Sequence, residues 1–101
     1  MTSALYANKM KSERDELLRI MESMLAGEID SERARISVEA LSMKEFPNLY
    51  GNLHHYYDDE DVRAKDLEYK KFQDKELEKL IRRLKSGDIE KANEISFLHE
   101  S

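Results

Sequence analysis

Hydrophobic positions in the second half of the chain recur at helical spacing. Tyr69, Phe72, Gln73, Leu77, Leu80, Ile81 and Leu84 cover about half the circumference of a helix turning roughly 100° per residue. Lys71, Lys75, Lys79 and Arg82 line the opposite side, with Glu68, Asp74 and Glu78 interleaved, so that pairs such as Glu78–Arg82 stand one helical turn apart. The pattern predicts a helix to Lys85 that starts at an N-cap Asp66, or earlier, around Asp59. So wide an apolar face suits a central helix in contact with two neighbours.

The same pattern occurs sixty positions earlier. Leu17, Ile20, Met21 and Met24 align with Leu77, Leu80, Ile81 and Leu84, and Gly27-Glu28-Ile29-Asp30 aligns with Gly87-Asp88-Ile89-Glu90. A glycine just past the last apolar residue can adopt the left-handed conformation that ends a helix. The acid after it favours the start of the next helix, where the macrodipole is positive. Leu84 to Ala92 is similar to the turn of many helical-repeat proteins. Two copies fall short of the three that a solenoid needs, so the echo is read as shared helix punctuation.

The remaining elements follow from caps and breakers. The first helix runs from Ser3 or Ser12 to Ala26; Tyr6, Met10, Leu17, Met21 and Met24 share one face, which favours one long helix from Ser3. The second starts with Asp30 or Ser31 as N-cap and ends before Pro47, which disfavours helix at Phe46. It has two apolar sides, Ala34, Val38 and Leu41 on one and Ile36, Ala40 and Met43 nearly opposite. Such a helix is sandwiched or self-associates, and Ile36, Ala40 and Met43 are the candidate self-association face of a two-fold homodimer. Pro47 can open a short helix carrying Leu49, Tyr50, Leu53 and Tyr57, although Gly51 weakens it. A last helix, about Asp88 to Leu98, carries Ile89, Ala92 and Ile95. The expected fold is all-α: an antiparallel bundle of four main helices plus a short helix, built as two helix–Gly–helix hairpins, in a single domain over residues 1–101.

Composition narrows the function classes. Of 101 residues, 40% are hydrophobic and 39% charged. The apolar positions are periodic rather than sparse, so the charge marks a solvated helical domain and not a disordered chain. The absence of cysteine excludes disulfides and thiolate metal sites and fits a reducing compartment. No apolar run approaches a membrane span, and Met1 to Lys11 has no signal-peptide core, so a cytoplasmic protein is expected. A net charge of −5 speaks against nucleic acid and for solubility or a cationic partner. The basic residues Lys71, Lys75, Lys79 and Arg82, and Lys9, Lys11 and Arg14, are read as solvated faces rather than phosphate sites.

The segment His54-His55-Tyr56-Tyr57-Asp58-Asp59-Glu60-Asp61 is the one compositional oddity. Three readings are open. His54 and Asp58, one turn apart, could ligate a metal with Glu60 or Asp61; the other remaining histidine is the distant His99. Tyr56, Tyr57, Asp58, Asp59, Glu60 and Asp61 could form a contact surface, tyrosines supplying area and acids steering a basic protein. Or Tyr56 or Tyr57 packs on the core while the acids cap the next helix. No nucleophile elbow, phosphate-cradling loop, dinucleotide fingerprint or triad is present.

The expected function is a small, acidic, non-enzymatic protein-binding module, without cofactor, membrane or nucleic-acid partner. In size, acidity and tyrosine–acid display the chain is similar to small bacterial immunity proteins and antitoxins, which mask cationic toxins; the likeness is one of composition. The alternative is a homo-oligomeric structural or regulatory protein. A metal-binding or enzymatic protein using His54 and Asp58 comes third.

Overall fold

The computed structural model describes the backbone of residues 2–97 and the side chains of residues 14–97. Tyr6, Met10, Lys9 and Lys11 as side chains, and the positions of Leu98 and His99, lie outside the described residues. The described residues are helical without a strand: α1 (Thr2–Leu25), α2 (Ser31–Glu39), α3 (Pro47–Asp58), α4 (Glu60–Lys65), α5 (Leu67–Ser86) and α6 (Ile89–Asn93). None of these helices is long and apolar enough to cross a membrane.

The apolar stripes of α1 and α5 meet each other, as their matching patterns require. Leu17 and Met21 of α1 and Leu77, Leu80 and Leu84 of α5 are almost wholly buried. Each such leucine contributes roughly 1.5–3 kcal/mol on transfer from water. α5 also contacts α4 and α6, so it has three neighbours where the stripe predicted two. α2 lies between α1 and α3, and α3 reaches α4 and α6.

Both predicted glycine stops are present. Gly27 and Gly87 have φ of 76° and 78°, in the left-handed region. In each turn two amides fold back on the helix end. Gly27 N–H bonds Met24 O at 3.1 Å and Glu28 N–H bonds Ser23 O at 2.9 Å; Gly87 N–H bonds Leu84 O at 3.2 Å and Asp88 N–H bonds Arg83 O at 3.1 Å. These are the paired bonds that satisfy orphan carbonyls at a helix C-terminus. The acid after Gly87 acts as predicted, since Asp88 caps α6 by accepting from Lys91 N–H at 3.1 Å. A Cβ at Gly27 would meet nothing within 4 Å, and one at Gly87 would meet only the mobile tip of Arg14, at 3.1 Å. Backbone strain therefore sets the cost. Gly27→Ala and Gly87→Ala are each expected to destabilise by about 1 kcal/mol in urea titrations.

The two N-caps are also in place. Asp30 accepts from Arg33 N–H at 2.8 Å, and Asp66 from Glu68 and Tyr69 N–H at 3.0 and 3.2 Å.

Three boundaries differ from the sequence reading. The last helix ends at Asn93 and not near Leu98, leaving Ile95 outside it. The other two differences lie earlier in the chain. The stretch from Pro47 to Ser86 is divided twice, giving six helices in place of four main ones and a short one. Asp59 and Asp66 make the divisions, and Asp66 does so in extended backbone (φ −125°, ψ 104°). The third difference concerns α2, which stops at Glu39 rather than continuing to Pro47. Met43 then turns the loop with φ of 53°, a conformation costing a non-glycine residue about 1 kcal/mol or more. Its side chain is buried at 7% exposure and Phe46 beside it at 4%, so core packing offsets the strain.

That early stop corrects the expected self-association face. Met43 is not on a helix with Ile36 and Ala40, and it lies in the core of its own chain. Ile36 remains exposed at 57% on α2, and Ala40 is exposed at the helix cap.

Candidate functional site

The predicted tyrosine–acid surface splits in two. Tyr56 and Tyr57 belong to the core, at 4% and 9% exposure, which corrects the expectation that they offer contact area to a partner. They complete the stripe Leu49, Leu53, Tyr56, Tyr57, all buried on one side of α3. Burial raises the pKa of both phenols, and Arg63 partly opposes the rise at Tyr56. Tyr57 Oη is a buried oxygen without a hydrogen-bond partner. The third reading, tyrosine on the core, describes both residues.

The acids diverge as well. Asp58, Glu60 and Asp61 are exposed, whereas Asp59 is half-buried. Asp59 accepts from Tyr69 Oη–H at 2.6 Å and from Gln73 Nε2–H at 3.0 Å. The bond to this carboxylate, aided by desolvation, holds the Tyr69 phenol up at about 12. His54 stands edge-on between Tyr50 and Tyr57, with ring centroids 5.1 and 5.7 Å away. Among the described residues no three His, Asp or Glu side chains converge on a point that could hold a metal ion.

The polar centre lies beside these residues, at Arg63 and Gln73. Arg63, on the short α4, is buried at 8% exposure, and Gln73, in the middle of α5, is wholly buried. The Arg63 guanidinium lies over the Tyr56 ring, 3.7 Å from its centroid, a stacking geometry that a cation and a ring quadrupole favour. Arg63 Nη1 donates to Tyr56 O and, at 2.6 Å, to Gln73 Oε1, while Nη2 donates to Ser31 Oγ at 3.0 Å. From Gln73, Nε2 donates to Phe97 O at 3.0 Å as well as to Asp59. One network thus ties the first residue of α2, the end of α3, α4, α5 and the C-terminal segment.

A groove of about 700 Å³ opens next to this network. Its lining includes Met24 and Leu25 at the end of α1, Ile29 of the following turn, Arg63 and Tyr56, and Leu67, Lys70 and Asp74, at i, i+3 and i+7 on α5. Lys70 and Asp74 pair with each other at 2.7 Å. Leu67, at 71%, is the most exposed large apolar side chain among the described residues, and Val62 on α4 is exposed at 42%.

Arg63 does not stand out in the sequence. Gln73 carried a signal: an amide inside an otherwise apolar stripe is a buried polar group that needs partners. Leu67 carried a weaker one, as the only leucine at the start of a helix whose other leucines begin ten residues later. No protein-family model, curated protein or solved structure matches the chain.

Proposed function

We propose that the protein is a non-enzymatic binding module that docks a basic protein partner at the corner where α4 meets α5. The observation that carries this reading is Leu67, exposed at 71% on the wall of an open groove. Val62 is exposed close by in sequence, with Asp58, Glu60 and Asp61 around it. Covering each apolar side chain would contribute roughly 1.5–3 kcal/mol. The acids would steer a cationic surface toward the corner and raise its association rate. The role that fits is masking of a cationic protein, as in the immunity proteins and antitoxins that the composition resembles.

Affinity capture from the native host with wild-type and Leu67→Ser baits, followed by mass spectrometry, tests the reading. Leu67 is too exposed to support the fold, so circular dichroism of the variant should match wild type. A partner retained by wild type is expected to be lost at least tenfold from the variant, as removal of a central apolar anchor implies. Equal recovery on both baits would place the contact surface elsewhere.

A further inference from the structure

Arg63 is a buried cation without an anion. Its three acceptors are a backbone carbonyl, an amide oxygen and a hydroxyl, all neutral. Ion pairs elsewhere join residues such as Arg35 to Glu39 and Lys85 to Glu22, but among the described residues none includes Arg63. Burying a guanidinium is costly unless its charge and its donors are met. A guanidinium has five N–H donors, and the three bonds use both hydrogens of Nη1 and one of Nη2. Nε–H and the second Nη2 hydrogen are left. Among the described residues Nε–H has no acceptor, and a charge-assisted bond from it to a carboxylate would meet both the donor and the charge. Nε is not a fully buried orphan, since Tyr57 Oη alone has that status among the described residues. It therefore reaches open space, and the space that Arg63 lines is the groove.

We propose that Nε–H of Arg63 donates to a carboxylate from the docked partner: a glutamate or aspartate side chain flanked by apolar residues. The proposal deepens the docking reading and rests on it. Leu25, Ile29 and Leu67 provide apolar surface for the flanking residues, and Lys65, also lining the groove, is in no ion pair among the described residues. Three acids also line the groove: Asp74 is paired with Lys70, Asp30 caps α2, and Glu60 is exposed; Arg63, Lys65 and Lys70 match them in number. The groove is open rather than enclosed, which suits a side-chain carboxylate on a passing chain. One acid in an otherwise basic partner would fix register, because any shift would set like charge against like.

The test uses three blocked tripeptides and the Arg63 Nε–H signal in a ¹H–¹⁵N spectrum of the intact chain. The probes are acetyl-Leu-Glu-Leu-amide, its isostere acetyl-Leu-Gln-Leu-amide, and acetyl-Leu-Gln-Leu with a free terminal carboxylate. The glutamate peptide is expected to move the Arg63 signal saturably and to bind at least tenfold tighter than the glutamine amide. Leu67→Ser should weaken it while the Arg63 signal of the free protein stays in place. Equal binding of the two amides overturns the proposal, as does the absence of any shift at the Arg63 signal. Tighter binding of the free-acid peptide overturns the side-chain assignment. If the peptides fail while Leu67→Ser still loses the captured partner, the carboxylate is wrong and the docking corner stands. If Leu67→Ser retains the partner, the docking corner itself is wrong.

Discussion

Gln73→Leu is expected to lower the unfolding free energy by about 3 kcal/mol. The substitution keeps side-chain bulk in a wholly buried position and removes only polar atoms. It leaves Arg63 Nη1 without its 2.6 Å acceptor and Phe97 O without its 3.0 Å donor, and it takes one donor from Asp59. A buried group left unpaired costs roughly 1–3 kcal/mol, and the low local dielectric enlarges the loss for groups in one network. For a domain of this size the melting temperature should fall by about 10–20 °C. Urea denaturation should show a lower midpoint with an unchanged slope. A loss below about 1 kcal/mol would mean that water replaces the amide, and that the network contributes little to stability.

Phe97→Ala is expected to cost about 4 kcal/mol, in the range for a fully buried phenylalanine reduced to a methyl group. Phe97 is 0% exposed and stands edge-to-face with Tyr56, centroids 5.1 Å apart. Tyr56 is also the ring beneath the Arg63 guanidinium, so the cavity would loosen the same network from its other side. Gln73→Leu combined with Phe97→Ala should then cost less than the sum of the two, because they share partners. Chemical denaturation of the single and double variants measures this directly. An additive pair would show that the ring and the amide act separately.

Local signals in the chain were reliable where the physics is local. The stripes of α1 and α5, the two glycine stops and the caps at Asp30, Asp66 and Asp88 depend on residues within a turn or two of one another, and each is where the pattern put it. The departures have distant causes. α2 ends at Glu39 because Met43 and Phe46 find places in the core, which no periodicity inside α2 announces. Tyr56 and Tyr57 could be read as contact surface beside four acids or as core, and the spacing Leu49, Leu53, Tyr56, Tyr57 is itself a complete stripe. Weighing spacing above the acidic neighbourhood would have placed both inside. Arg63 and Phe97 were beyond reach: most of their partners are distant, Gln73 and Ser31 lying 10 and 32 positions from the arginine and Gln73 lying 24 from Phe97, and Phe97 follows the end of the last helix.

α3 begins without a cap from its own sequence neighbours. Phe46 precedes Pro47 and has no side-chain oxygen with which to cap α3. Asn93, at the end of α6, does it instead: its Oδ1 accepts from Leu49 N–H at 3.2 Å while its Nδ2 donates to Glu45 O at 2.7 Å. Asn52 returns the link by donating to Ile95 O at 2.6 Å. On the ribosome α3 emerges long before Asn93 does. Until then the first turn of α3 has open amides, and the face of Leu49, Leu53, Tyr56 and Tyr57 lacks Phe97. Domains in general begin to fold from the N-terminus as they are made. Here α1, α2 and their glycine turn can form early, but the middle of the chain waits for its last segment. The nascent protein therefore passes through a long interval with an apolar helix uncovered, and a chaperone that holds apolar segments would find its binding site there.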